Sequence, residues 1–234
     1  MTMLDFDRFQ ALSFDCYGTL VDWETGILGA LRPIILKYGV ACDDDRLLDL
    51  YAAAESEIEA GPYRTYREVL REVARRLATA LSFRPSPADI EALPESLPSW
   101  PPFPDTVPAL QALSKRFRLA IVSNTDDDLF AATRRRLPVD FALVVTATQM
   151  HSYKPAPAHF TRTLEGLGVG REALLHVAQS LFHDIAPARA LGLRTVWVNR
   201  RAGRRGSGAT PPAEARPDLE VPDLRSLVAL IETA

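Results

Sequence analysis

The feature that most constrains the fold is a series of short apolar runs separated by amphipathic segments. The runs are ALSFD (11–15), RLAIVSN (118–124), LVVTA (143–147), LLHVAQ (174–179) and RTVWVN (194–199). Between them, Leu, Ala and Phe recur at helical spacing near 105–117, 126–136, 156–167 and 184–191. Buried strands that alternate with helices are typical of right-handed crossover units on a parallel sheet. The sequence therefore predicts an α/β fold built on such a sheet.

The alternation stops between about residues 22 and 97, where the whole stretch has helical patterning. Its helical segments are ILGALRPIILKYG, DRLLDLYAAAESEIEA, YREVLREVARRLATAL and PADIEALPESL. The run LPSWPPFPD (97–105) then has four prolines in nine residues, which stiffens the return of the chain. We interpret 22–97 as a helical cap domain, inserted after the first strand of a core domain that comprises 1–21 and 98–234.

Composition limits the compartment and the partners. The formal net charge is -3 over 234 residues, which does not fit a nucleic-acid binder, because such proteins carry a basic excess. The two cysteines, Cys16 and Cys42, are typical of a reduced protein rather than a disulfide framework. No apolar stretch approaches the roughly 18 residues of a membrane span, and the first ten residues lack the basic start of a secretory signal. We expect a cytoplasmic protein without a nucleic-acid or membrane partner.

Polar residues follow four of the apolar runs, at the point where each strand is predicted to end. They are Asp15 after the first run, Ser123 and Asn124 after the second, Lys154 after the third, and Ser180 with Asp184 after the fourth. Each alone could be a helix cap or a surface residue. The carboxyl ends of parallel strands meet at one edge of the sheet, however, so we expect these side chains to share a site.

Four segments resemble the motifs of the haloacid dehalogenase superfamily, in order and across nearly the whole chain. They are FDCYGTLVD, IVSNT, YKP and FHDIAPARALGLRTVWVNR. The Asp-x-Tyr-Gly-Thr-Leu form of the first motif is similar to that of the type II, L-specific 2-haloacid dehalogenases, whereas the phosphatases of the superfamily carry Asp-x-Asp. The resemblance implies a Rossmann-like core with a helical cap inserted after the first strand.

Tyr17 is the residue that separates these two branches. In a phosphatase of this type the second aspartate acts as general acid and base, and a magnesium ion balances the charge. A halide leaves without a proton, so a dehalogenase does not need the second acid. The resemblance therefore implies hydrolytic removal of halide from a small 2-halocarboxylic acid without a cofactor; Mg²⁺ enters only if the phosphatase alternative holds.

The resemblance also implies roles for individual residues. The Asp15 carboxylate attacks the halogen-bearing carbon to form an aspartyl ester, and water oriented by Asp184 near Lys154 hydrolyses the ester to give a 2-hydroxy acid. The implied catalytic residues are Asp15, Lys154, Asp184, Ser123 and Thr19, and the implied substrate-binding residues are Cys16, Tyr17, Asn124, Ser180, His183, Arg64 and Tyr66. No metal ligand is expected.

The chain departs from the family pattern around the leaving group. The dehalogenases carry a cap arginine near the halide, but LLDLYAAAESE has none, which leaves Arg64 or Arg67 as substitutes. Gln179 and Leu181 stand where the family has serine and asparagine, and Phe160 stands where it has tyrosine. The residues for the core chemistry are thus retained, while the residues expected around the leaving group differ from the family pattern.

Two other functions remain open. One is a hydrolase of the same fold on another substrate, either a phosphomonoester with magnesium or a small acid with a different leaving group, such as a strained ring nitrogen. The other is a non-catalytic member that binds a ligand through its cap. A small carboxylate is the expected substrate, and a homodimer is carried over as an expectation because dimers are common among the dehalogenases that the chain resembles.

Overall fold

The computed structural model describes residues 4–204 and 206–233. The strands are β1 (Ala11–Phe14), β2 (Arg118–Ser123), β3 (Leu143–Thr146), β4 (Leu174–Ala178), β5 (Arg194–Val198) and β6 (Leu219–Val221). The α-helices are α1 (Trp23–Lys37), α2 (Asp44–Glu59), α3 (Tyr66–Ala80), α4 (Pro87–Ser96), α5 (Thr106–Leu113), α6 (Asp127–Arg134), α7 (Ala147–Met150), α8 (Ala158–Leu167), α9 (Ala186–Ala190) and α10 (Leu224–Glu232). None of these helices is long and apolar enough to cross a membrane.

The six strands form one sheet in the order β3-β2-β1-β4-β5-β6, and every neighbouring pair is parallel. The strand β1 lies near the centre and is buried along its whole length, as expected for a parallel strand covered by helices on both faces. The predicted α/β fold with a parallel sheet is confirmed. The sequence did not predict β6, because three residues are too few to show a periodicity.

The helices α1 to α4 all lie between β1 and β2 in the chain. Two of them begin with reciprocal capping boxes, Thr65 with Glu68 and Ser86 with Asp89, which satisfy the free N–H groups of the first turn. The inserted segment is therefore helical, as its patterning indicated. The division of the chain at residues 22 and 97 into two domains stays a prediction.

The carboxylate of Asp126 joins the inserted helices to the core. It accepts hydrogen bonds from the backbone N–H groups of Tyr66 and Arg67, at 2.8 and 3.0 Å, in the first turn of α3. A negative charge is stabilised at this position by the partial positive charge of the helix N-terminus. Nearby, the Tyr153 hydroxyl donates to the Arg64 carbonyl at 2.8 Å. The start of α3 is thus fixed above the carboxyl ends of the strands.

Candidate active site

The turn after β1 fixes the carboxylate of Asp15. The Asp15 N–H donates to the Val177 carbonyl at 3.2 Å and so continues the pairing of β1 with β4. The chain then reverses at Gly18, whose φ of +93° and close approach to Trp23, 2.9 Å from a would-be Cβ, both exclude a side chain. This turn returns the Thr19 hydroxyl to Asp15, where it donates to Oδ2 at 2.7 Å.

Lys154 bridges two carboxylates at the sheet edge. Its Nζ donates to Asp15 Oδ1 at 2.8 Å, to Asp184 Oδ1 at 2.7 Å and to the Val122 carbonyl at 2.8 Å. The Lys154 backbone is held by the amide of Asn124, which accepts from its N–H at 2.7 Å and donates to its carbonyl at 3.1 Å. The lysine is 1% exposed, and all three of its ammonium protons are engaged.

The charges in this group compensate one another. Burial lowers the pKa of Lys154, but the two aspartates outweigh burial and raise it above its usual value. Burial raises the pKa of Asp15 against the opposing charge of Lys154. Burial also acts on Asp184, yet Lys154 and the hydrogen bond from His176, at 3.1 Å, bring its pKa down to about 2. Asp184 is therefore ionised at neutral pH, and its Oδ2 has no hydrogen-bond partner among the described residues.

A single π-helical turn, Leu181–Ile185, presents Asp184 and His183 to the same site. The Ser180 hydroxyl caps this turn by accepting from the His183 N–H at 2.8 Å. Burial lowers the pKa of His183 to about 4, so the ring is neutral at pH 7. Its Nε2 lies 3.8 Å from Glu59 Oε2 and completes no hydrogen bond within the described chain.

The helix α2 places two carboxyl groups in the same cavity as Asp15. Glu55 and Glu59 are four residues apart and share one face of the helix. Glu55 Oε1 accepts from the hydroxyls of Tyr51 and Tyr66, both at 2.7 Å. Glu59 Oε2 accepts from Asn124 Nδ2 at 3.1 Å. The sequence reasoning missed this pair, although two acids at a spacing of four in an apolar helix were a usable signal.

Both cap carboxyl groups bind protons more tightly than usual. Burial raises the pKa of Glu55 to about 7, against the lowering effect of the two tyrosine hydrogen bonds. Burial, followed by the neighbouring Glu55, raises the pKa of Glu59 well above its usual value. At neutral pH the pair is thus partly protonated.

The cavity between the core and the cap brings most of the predicted residues together. Of those residues, Asp15, Tyr17, Tyr66, Ser123, Asn124, Lys154, Ser180, His183 and Asp184 line it, and Trp23, Glu55, Glu59 and Gln179 complete the lining. The space open to a water-sized group is about 30 Å³, which is enough for one or a few waters.

Three predicted residues do not line this cavity. Cys16 is fully buried in the apolar core, where burial raises the pKa of its thiol. Thr19 reaches the site through its hydroxyl, which donates to Asp15 and accepts from the Gln179 N–H. Arg64 is exposed, directly before the Thr65 cap of α3, and is not among the lining residues. Its assignment to substrate binding stays a prediction.

The alternative substitute, Arg67, pairs with Asp128 at 2.6 Å on the surface. No arginine lines the cavity within the parts of the chain that the structure describes.

Tyr17 decides whether magnesium fits. Its hydroxyl is 2.8 Å from Thr133 Oγ1, and its ring packs edge-on against Trp100. Burial raises its pKa far above the usual value, so it supplies neither an acid nor an anionic ligand. No group of three or more His, Cys, Asp or Glu side chains within 4–204 and 206–233 is arranged to hold a metal ion. The residues present, with Lys154 already between the two aspartates, do not fit magnesium; the need for no cofactor stays a prediction.

Known proteins resemble the chain over most of its length. Haloacetate dehalogenase H-2 from Moraxella sp. (strain B) is 25% identical over 230 residues, which cover 96% of this chain and 98% of that protein. A phosphoserine phosphatase from Thermus thermophilus is 31% identical over 180 residues, covering 72% and 65%. The solved L-2-haloacid dehalogenase from Xanthobacter autotrophicus has a TM-score of 0.77 at 22% identity, covering 96% and 98%, and shares the fold.

A family model described as haloacid dehalogenase-like hydrolase matches residues 9–192, well over half of the chain. The match begins just before β1 and ends after Asp184 and α9, so it includes every residue of the Asp15, Lys154 and Asp184 group. The chain therefore belongs to the haloacid dehalogenase-like hydrolases.

Proposed function

We propose that this protein removes halide from a small 2-halocarboxylic acid and releases a 2-hydroxy acid, by way of an ester on Asp15. The observation that carries this proposal is the bridge from Asp15 through Lys154 to Asp184, with Tyr17 in place of a second acid. The full-length likeness to a haloacetate dehalogenase supports the same reaction.

The first step is displacement at a saturated carbon. A carboxylate oxygen of Asp15 attacks from the side opposite the halogen, a C–O bond forms, and the halide leaves with the electron pair of the C–X bond. No proton is transferred in this step. The hydrogen bonds from Thr19 and Lys154 hold the carboxylate in one orientation, so little reorganisation precedes the attack.

The second step is hydrolysis of the ester. Water attacks the Asp15 carboxyl carbon and its proton passes to the unpaired Oδ2 of Asp184. The acyl C–O bond then breaks as Asp184 returns that proton to the leaving oxygen, which releases the 2-hydroxy acid, and Asp15 loses its remaining proton to solvent. Lys154 lies against Asp15 Oδ1, where negative charge develops in the tetrahedral intermediate. Asp184 is a weak base, so its main contribution is to orient the water.

Halide release tests the proposal. We would measure it from chloro-, bromo- and fluoroacetate and from both enantiomers of 2-chloropropionate, with EDTA present and Asp15→Asn as control. Release by the wild type alone supports the proposal. No release from any of these acids, or equal release by Asp15→Asn, would overturn it.

Two alternatives have separate tests. Magnesium-dependent release of phosphate from phosphomonoesters would indicate the phosphatase reaction, which the engaged hydroxyl of Tyr17 disfavours. Failure of hydroxylamine to trap an aspartyl ester with any substrate would indicate a binding protein, which the intact group of Asp15, Lys154 and Asp184 disfavours.

A further inference from the structure

The lining of the cavity is rich in acids. Four carboxyl groups, those of Asp15, Asp184, Glu55 and Glu59, surround it, and Lys154 is the sole lysine or arginine of the lining in the described chain. His183 adds no charge at neutral pH because burial lowers its pKa to about 4. A substrate that carries only a negative charge would meet an excess of negative charge in this cavity.

The hydrogen-bonding capacity of the cavity has the same bias. Lys154 donates all three ammonium protons to Asp15, Asp184 and Val122, so it has none left for a substrate carboxylate. The Ser123 hydroxyl is buried and has no partner within the described residues, so it can donate to a group in the cavity. On the cap side Glu55 and Glu59 present carboxyl oxygens to the cavity.

Glu55 and Glu59 are held in place by hydrogen bonds. The hydrogen bonds of Glu55 to Tyr51 and Tyr66 both fall on Oε1, which leaves Oε2 for a group in the cavity. Glu55 is 3% exposed and the Glu59 side chain 5%. Two acids buried in one cavity, whose single lysine is already engaged by Asp15 and Asp184, are unfavourable in their ionised form. An ammonium group between them would supply both the missing charge and N–H donors.

We propose that Glu55 and Glu59 bind an ammonium group of the substrate, so that Asp15 acts best on a small halo acid that also carries an amino group, from which the halide leaves as in the proposed reaction. The ammonium group lies against the cap carboxylates, and the substrate carboxylate lies against the Ser123 hydroxyl. The inference rests on the proposed function, since it takes the displacement by Asp15 as given and specifies the molecule on which it acts.

Binding of propionate and of D- and L-alanine tests the assignment, because these molecules differ only in the amino group and have no leaving group. Calorimetry on the full chain would compare the wild type with Glu55→Gln and Glu59→Gln. The matched control is Glu57→Gln on the same helix, whose side chain is 74% exposed and pairs with Arg76. We expect one alanine enantiomer to bind about tenfold more tightly than propionate, from the added charged hydrogen bonds.

The variants separate charge recognition from general effects on the cap. The preference for alanine over propionate should disappear in Glu55→Gln or Glu59→Gln and persist in Glu57→Gln. Tighter binding of propionate than of either alanine by the wild type would overturn the inference. So would a preference for alanine that survives in the double variant Glu55→Gln/Glu59→Gln. If Glu55→Gln does not fold, Glu59→Gln alone decides.

The outcome is independent of the reaction test. A wild type that releases halide but prefers propionate retains the proposed function and loses the ammonium site. A wild type that prefers alanine but yields neither halide nor a trapped ester retains the ammonium site and loses the proposed reaction.

Discussion

The core half and the cap half of the cavity are built by different means. The core half consists of side chains at the ends of parallel strands, such as Asp15, Ser123 and Asp184, whose positions follow from the sheet. The cap half consists of Glu55, Glu59 and Tyr66, whose positions depend on which face α2 and α3 turn towards the core. In the proposed reaction, the core half carries the groups for making and breaking an ester, and the cap half carries the groups that meet the substrate from the other side.

The largest effect should come from the nucleophile in the core half. Asp15→Asn removes the attacking carboxylate and should reduce turnover by about a thousandfold or more, while the hydrogen bond from Thr19 can be kept by the amide oxygen. Halide release and hydroxylamine trapping measure the effect, and the melting temperature checks folding. Turnover within tenfold of the wild type would show that the core half does not act through Asp15.

The second largest effect should come from replacing Lys154, the cation of the core half. Lys154→Met leaves Asp15 and Asp184 without the charge between them, which should cost about 3–5 kcal/mol of unfolding free energy. Protonation of one carboxyl group then lowers turnover by about a hundredfold or more. Urea unfolding and kcat are compared with Lys115→Met at an exposed site. An unchanged urea midpoint would contradict this account of the core half.

The cap half should be visible in the pH dependence of stability. Glu55 has a pKa of about 7 in the folded protein against a usual value of 4.5, so the folded state binds the proton more tightly. Stability should therefore be highest below pH 4.5 for this group and fall as pH rises to about 7, by up to about 3 kcal/mol. The groups that face it are Glu59, Asp15, Tyr51 and Tyr66.

Glu55→Gln should remove most of that loss. The free energy of unfolding measured at pH 5 to 8 should fall less with pH in Glu55→Gln than in the wild type, and Glu57→Gln should follow the wild type. Parallel curves for all three proteins would show that Glu55 titrates normally and that the cap half has no unusual acid.

The smallest effect should come from Arg64→Ala. Because this side chain is exposed and outside the cavity, kcat/KM should stay within about twofold of the wild type. The exposed Arg135→Ala serves as the control. A tenfold loss of kcat/KM in Arg64→Ala but not in Arg135→Ala would show that Arg64 belongs to the cap half. It would then be the cap arginine that the sequence led us to expect.

The core half was predictable because two simple rules apply to it. Apolar runs locate the strands, and the ends of parallel strands meet at one edge, which brought Asp15, Asn124 and Lys154 together from positions up to 139 residues apart. The predicted roles of these residues stay predictions until turnover is measured. Their proximity alone follows from the sheet.

The cap half was not predictable to the same degree, because the direction of a helix face depends on tertiary packing. The stretch YAAAESEIEA shows that α2 is amphipathic, but not that Glu55 and Glu59 turn inward, since buried acids are uncommon. The position of Arg64 outside the lining could not be predicted for a related reason: it lies in the link before α3, where sequence patterning does not give the direction of a side chain.

The amide of Asn124 limits which substitutions the two halves can accept independently. One NH₂ group serves both Glu59 of the cap and the Lys154 carbonyl of the core, while the amide oxygen holds the Lys154 N–H. An aspartate at 124 would oppose Glu59, and an aliphatic residue would release both partners. A change of specificity at Glu59 must therefore keep Asn124, or positions 59 and 124 must change together.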